Sequence, residues 1–168
     1  MRIETVEYKL YNFEELTEDG QQKAIENYYD FNVGCDWWEN VYSDAEEVGL
    51  KITSFDLGRG SYCKIIFDID LEEVAEKIIT NHGPMCETHK TAAVFLSACK
   101  ALSPEQYDIN IDGARRDFCY NLQEDYRIIL QKEYEYLTSE EATKESLIAN
   151  DYEFTSDGKI FLRLNLNS

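Results

Sequence analysis

The segment Asp108-x-Asn110-x-Asp112-Gly113 comes nearest to a ligand motif in this chain. Alternate oxygen-bearing side chains followed by glycine form the first half of a calcium-binding EF-hand loop, where glycine permits the sharp turn. The pattern then stops. Counting Asp108 as position one, Arg115 stands where an apolar residue belongs and Cys119 where the bidentate glutamate belongs. The segment predicts a polar loop capping a following helix. His82, Cys86 and His89 form a second cluster, with Cys63 and Cys99 as further thiols. Zinc accepts these ligand types, but structural zinc sites use tighter paired spacings, so a coincidence at a helix start is the plainer account. Neither cluster predicts a bound metal, and no cofactor is expected.

Other chemistry fares no better. Asp68 and Asp70 share one face of an expected strand, with Asp56 opposite across a hairpin. Paired acids do acid–base or magnesium chemistry when their surroundings split their pKa values or a metal binds. Solvated carboxylates are the simpler expectation. Gly58-Arg59-Gly60-Ser61 lacks the lysine of a phosphate-binding loop and precedes a strand instead of a helix. The two histidines are too few for most histidine-based catalysis. A non-enzymatic protein is expected. Trp37-Trp38 is a candidate anchor: adjacent helical residues diverge by about 100°, so one ring is expected in the core and the other at a boundary or interface.

The elements that must position these residues follow from periodicity. Ile3–Leu10 alternates like an edge strand. Asn12 caps a helix carrying Phe13, Leu16, Gly20, Ala24, Tyr28 and Phe31, and Asp36 caps a second that Gly49 stops. Leu50–Leu57 and Tyr62–Ile69 predict a hairpin, and Leu71–Asn81 and Thr88–Leu102 two helices. Ser103-Pro104-Glu105 starts another element. The longest helix is expected over about Gly113–Leu137, and Thr138-Ser139-Glu140-Glu141 caps a short one to about Asn150. Tyr152–Thr155 and Lys159–Leu166, turned by Ser156-Asp157-Gly158, predict a second hairpin. The expected fold is one α+β domain over residues 1–168. Its mixed or antiparallel sheet has four to five strands, two hairpins plus the N-terminal strand, covered by several helices.

Charge narrows function further. Thirty-four acidic residues against sixteen basic ones leave 168 residues at −18. That field opposes nucleic acid and anionic membrane and favours basic protein surfaces. Residues 1–50 hold thirteen acids and three bases, whereas residues 51–100 are nearly balanced at seven and six. At 43% hydrophobic residues the chain is rich enough to fold. No run reaches the roughly 18 apolar residues of a bilayer span. Met1-Arg2-Ile3-Glu4 opens no signal peptide, and five widely spaced cysteines suit reduced thiols, so a cytoplasmic protein is expected.

Several segments carry a resemblance: Asp36-Trp37-Trp38, Phe55-Asp56-Leu57, Arg59-Gly60-Ser61-Tyr62-Cys63, Asp125-Tyr126-Arg127 and Leu130 to Leu137. Together they resemble a family of small acidic proteins met mainly in phage and prophage genomes, some labelled antitoxin. The resemblance covers nearly the whole chain and implies a phage-related accessory protein, without assigning any residue a chemical role.

The expected function is therefore an anti-defence inhibitor, of anti-CRISPR kind, that occupies a basic, nucleic-acid-binding surface of a host protein. Its candidate surface is Glu14, Glu15, Glu18, Asp19, Glu26, Glu39, Asp44, Glu46 and Glu47, with Trp37 or Trp38 as anchor. The alternatives are an antitoxin for a basic toxin and a sponge for a nucleotide signal built on Arg59, Lys64, Arg115, Arg116 and Arg127. An enzyme using Asp56, Asp68 and Asp70 is the third. Oligomeric state is not legible in the sequence.

Overall fold

The computed structural model describes Arg2, residues 7–102 and residues 104–162, with the backbone alone for 104–110. Among the described residues there are six α-helices and one two-stranded sheet. The helices are α1 (Glu18–Asn27), α2 (Glu39–Glu47), α3 (Leu71–Asn81), α4 (Glu87–Ala101), α5 (Pro104–Leu137) and α6 (Glu140–Ala149). The strands are β1 (Leu50–Asp56) and β2 (Tyr62–Phe67), paired antiparallel with an irregularity between Ile52 and Ser54.

The chain is α+β, but the expected sheet of four to five strands is corrected: among the described residues it has two. Tyr11 forms a single bridge to Phe154, and Phe154 another to Ile160. The Ser156-Asp157-Gly158 turn does form, with the Gly158 N–H donating to Thr155 O and the Thr155 N–H to Lys159 O, both at 2.9 Å. Alternating side chains mark extended backbone, yet a strand needs a ladder of successive pairs, and among the described residues the pairing stops at isolated bridges. Residues 3–6 and 163–166 of the expected terminal strands lie outside the described residues.

Two compact units partition the chain. The first comprises Met1–Trp37 and Tyr134–Ser168. Its core is Phe13, Leu16, Ala24, Leu147 and Phe154, with the Phe13 and Phe154 rings edge to face at 6.0 Å. The helix expected from Asn12 to Phe31 is interrupted: a 3-10 turn over Phe13–Glu15 ends at Leu16, and Thr17 caps α1 by accepting the Gly20 N–H. Asn32 ties this unit across long sequence distances, donating to Leu137 O at 3.0 Å and accepting from the Ser146 hydroxyl at 2.7 Å.

The second unit is Trp38–Glu133. Leu50, Ile52, Cys63 and Ile65 supply the buried face of the hairpin, and Val74, Ala75 and Ile78 that of α3. On α5, Ile111, Phe118, Leu122, Tyr126 and Leu130 are all buried, a stripe at helical period. The Phe95 ring of α4 stacks on Phe118 at 4.3 Å. Gly49 ends α2 with φ +85°, and a Cβ there would stand 2.5 Å from Ile69 Cδ1. Only glycine meets both demands without strain.

α5 also corrects the sequence reading of Asp108–Gly113. These residues are helical, not a loop, because α5 runs unbroken from Pro104. Gly113 sits inside it at an exposed position where an added Cβ would meet nothing within 4 Å, and glycine there costs only about 1 kcal/mol against alanine.

Candidate functional site

The acidic residues singled out from sequence fall into both units. Glu14, Glu15, Glu18, Asp19 and Glu26 are exposed in the first, and Glu39, Asp44, Glu46 and Glu47 in the second. Asp19 pairs with Lys23 at 2.6 Å. Glu15 accepts the Asn12 N–H, and Glu26 accepts from Gln22. Among the described residues no cation pairs with Glu14, Glu18, Glu39, Glu46 or Glu47. The tryptophans are divided likewise. The Trp37 ring lies 5.7 Å from that of Tyr134 within the first unit, and Trp38 lies 5.7 Å from Phe55 within the second. Both are half-buried, so neither takes the fully buried place expected for one of them.

A cleft of about 600 Å³ lies wholly within the second unit. Asn40, Val41 and Asp44 line it from α2, and Asp125, Ile128, Ile129, Lys132 and Glu133 from α5. The link between α3 and α4, from Asn81 to Thr88, closes a further side. Gly83-Pro84 bends that link, and the Cys86 N–H donates to Gly83 O at 2.9 Å. His82 Nδ1 lies 2.8 Å from Thr88 Oγ1, and His89 donates through Nδ1 to His82 O at 2.9 Å. The histidines thus brace the start of α4.

The His82 side chain is only 8% exposed, and its Nε2 faces Asp44 Oδ1 at 3.5 Å. It is buried there without a hydrogen-bond partner among the described residues. A carboxylate only accepts, so Asp44 favours the tautomer with the proton on Nε2, leaving Nδ1 to accept from Thr88. From the other side the Tyr126 hydroxyl donates to Asp44 Oδ2 at 3.1 Å. Burial, reinforced by the Asp44 charge, raises the Tyr126 pKa and keeps the phenol protonated as a donor. Asp125 is held similarly: the Thr91 hydroxyl donates to its Oδ2 at 2.7 Å. Half-burial raises the Asp125 pKa, the Thr91 bond offsets part of this, and Glu87 and Glu124 add to it.

Among the described residues, no three His, Cys, Asp or Glu side chains are grouped to hold a metal. His82, Cys86 and His89 are neighbours along the α3–α4 link, with both rings engaged as above. The Asp108 and Asn110 side chains lie outside the described residues. Asp112 is exposed on α5, where helical backbone turns alternate residues about 200° apart and dismantles the EF-hand pattern. Asp56 accepts the Gly58 N–H at 2.6 Å as a turn former. β2 ends at Phe67, so Asp68 and Asp70 do not share a strand, and Asp70 instead precedes α3 as its cap. Of the cations considered for a phosphate pocket, Arg115 contacts Glu72 at 3.3 Å and Arg127 donates through Nε to Glu124 at 2.8 Å.

Sequence reasoning placed Asp44 on an acidic face and missed its partners. Asp125 and Tyr126 entered only as marks of the family resemblance. The buried stripe of α5 was a local signal for Tyr126, but nothing local joins Thr91 to Asp125. No family model, curated protein or solved structure matches this chain. No helix of the described residues is long and apolar enough to cross a membrane.

Proposed function

We propose that this protein is a non-enzymatic, phage-type binding protein that occupies a basic, nucleic-acid-binding surface of a host protein, as an anti-defence inhibitor does. One observation carries this reading: exposed carboxylates left without cations. α2 holds Glu39, Asp44, Glu46 and Glu47 and no basic residue, and of these four Asp44 alone is engaged among the described residues, by His82 and Tyr126. In the first unit Glu14, Glu15, Glu18 and Asp19 crowd the 3-10 turn and the start of α1, and among the described residues Lys23 pairs with Asp19. Internal ion pairs would have consumed these charges; left open, they steer a basic partner and compete with its phosphates.

The test is direct binding to purified host nucleases and defence effector complexes, with their own nucleic acid as competitor. Association should slow by roughly tenfold or more between low and moderate salt. A variant with Glu14, Glu15, Glu18, Glu46 and Glu47 changed to Lys should lose binding while remaining folded. Binding that ignores both salt and this reversal would remove the electrostatic mechanism.

A further inference from the structure

We propose that the cleft of the second unit is an amine site: Asp44 and Asp125 receive the ammonium or guanidinium end of an aliphatic cation whose stem lies against Val41, Ile128 and Ile129. The volume of about 600 Å³ falls within the range of small-molecule clefts. Branched aliphatic walls and carboxylate ends suit a ligand that is apolar along its length and cationic at its tip. Among the described residues that line the cleft, Asp44, Glu87, Asp125 and Glu133 stand against Lys132, and Lys90 beside the cleft pairs with Glu87 at 2.7 Å, which leaves the acids in excess. That balance repels phosphates and carboxylic acids and draws cations in.

The two central carboxylates are presented in the same way. Each is held through Oδ2, Asp44 by Tyr126 and Asp125 by Thr91. Oδ1 of each takes no hydrogen bond from the described residues, which leaves an acceptor for a charge-assisted bond. Burial disfavours ionisation of Asp125, the Thr91 bond offsets part of this, and Glu87 and Glu124 add to the penalty. A bound cation is what such a carboxylate lacks.

His82 supplies an independent observation. Buried polar atoms without partners are few in folded proteins and costly. Nε2 of this nine-tenths buried ring makes no hydrogen bond among the described residues and only a 3.5 Å contact with the Asp44 oxygen that the cleft presents. Thr88 Oγ1 both donates and accepts, so it lets Nε2 serve as a donor beside Asp44 or as an acceptor for a bound N–H. The two states give the site a donor and an acceptor at one position.

An aliphatic cation has two sources: a free alkylamine, or the lysine or arginine side chain of a protein. The side-chain source rests on the basic partner proposed above; the free amine is independent of it. Met85 makes the test simple. The chain has two methionines, Met1 and Met85, and Met85 lines the cleft with its side chain largely exposed. Its ¹³C-labelled methyl therefore reports occupancy of the unaltered protein by NMR.

The full chain is titrated at constant salt with spermidine, with agmatine, and with a short acetylated, amidated Gly-Arg-Gly peptide. The expected result is a saturable shift of the Met85 methyl with at least one of them. Asp125→Asn should weaken it by on the order of tenfold or more. Saturation by the free amines alone assigns the first source, and saturation by the peptide as well assigns the second. No saturable shift with any of the three up to about 10 mM, or a shift that both Asp44→Asn and Asp125→Asn leave intact, overturns the site. Amine binding that persists when every basic protein fails to bind would remove the partner reading alone.

Discussion

The Tyr126 hydroxyl on α5 donates to Asp44 Oδ2 on α2 at 3.1 Å, joining residues 82 positions apart. The phenol ring is fully buried while the carboxylate is about half exposed, so the bond runs from the core to the floor of the cleft. Its two ends respond differently to mutation. Tyr126→Phe keeps the ring and leaves Asp44 to water, at a cost of about 0.5–1.5 kcal/mol. Tyr126→Ala empties the core position and should cost about 3–5 kcal/mol. Urea unfolding of both variants measures the difference. Equal losses would mean that the hydrogen bond, not the ring, carries the residue's weight.

Asp125 makes stability depend on pH. Its carboxyl is held above its ordinary value, with burial as the chief cause. A group with a raised folded-state pKa contributes stability that is present below the unfolded pKa, about 3.9 for aspartate. That contribution is lost as pH rises through the folded value. Asp125→Asn retains an acceptor for Thr91 and removes the ionisation. Its Tm should exceed that of the native chain at pH 7, and the gap should close near pH 4. A variant less stable than the native chain at neutral pH would show that the charge is already compensated within the fold.

Gly49 and Gly60 share a left-handed backbone, φ +85° and +82°, in different surroundings. At Gly49 an added Cβ meets Ile69 at 2.5 Å; at Gly60 nothing lies within 4 Å. Gly60→Ala should therefore cost about 1 kcal/mol of backbone strain. Gly49→Ala should cost that plus about 1–3 kcal/mol of overpacking. Chemical denaturation of both variants separates steric from conformational cost, and equal losses would mean that Ile69 yields freely.

Local features of the sequence carried most of the helices and little of the cleft. Ser139 caps α6 as its capping sequence predicts, accepting the Ala142 N–H at 3.2 Å. α3 follows its apolar spacing from Leu71 to Asn81. Asp, Asn and Gly from 108 to 113 suggested a loop because each disfavours helix alone, but Ile111 and Phe118 bury the same face of α5 and outweigh that preference. At the termini, alternation marks extended chain without showing what it pairs with, and the described residues there form single bridges instead of a ladder. The cleft depends on Tyr126 with Asp44 and Thr91 with Asp125, contacts between helices that leave no periodic trace in either one.

The five thiols should react in the order of their burial. Cys35 and Cys86 are exposed, Cys99 and Cys119 intermediate, and Cys63 buried. Burial pushes the Cys63 thiol up to about 11, so little thiolate forms there at pH 8. Timed iodoacetamide labelling read by peptide mass spectrometry should show Cys35 and Cys86 modified first and Cys63 last. Early modification of Cys63 would mean that the β1–β2 hairpin opens readily in solution.

Glu46 and Glu47 occupy the last turn of α2, which contains no basic residue. The negative end of the helix dipole lies there, so two carboxylates oppose it and two lysines would complement it. Neither glutamate pairs with a cation among the described residues, and both are exposed. Their placement is unfavourable for the helix, and the proposed function gives it a use, since a basic partner would complement both charges. Glu46→Lys with Glu47→Lys should accordingly raise Tm by no more than a few degrees while weakening association with the basic partner. Calorimetry and binding kinetics on the same sample check both effects. A loss of binding accompanied by a loss of stability would trace to a damaged helix, whereas a stabilised variant that no longer binds would separate the acidic face from the fold beneath it.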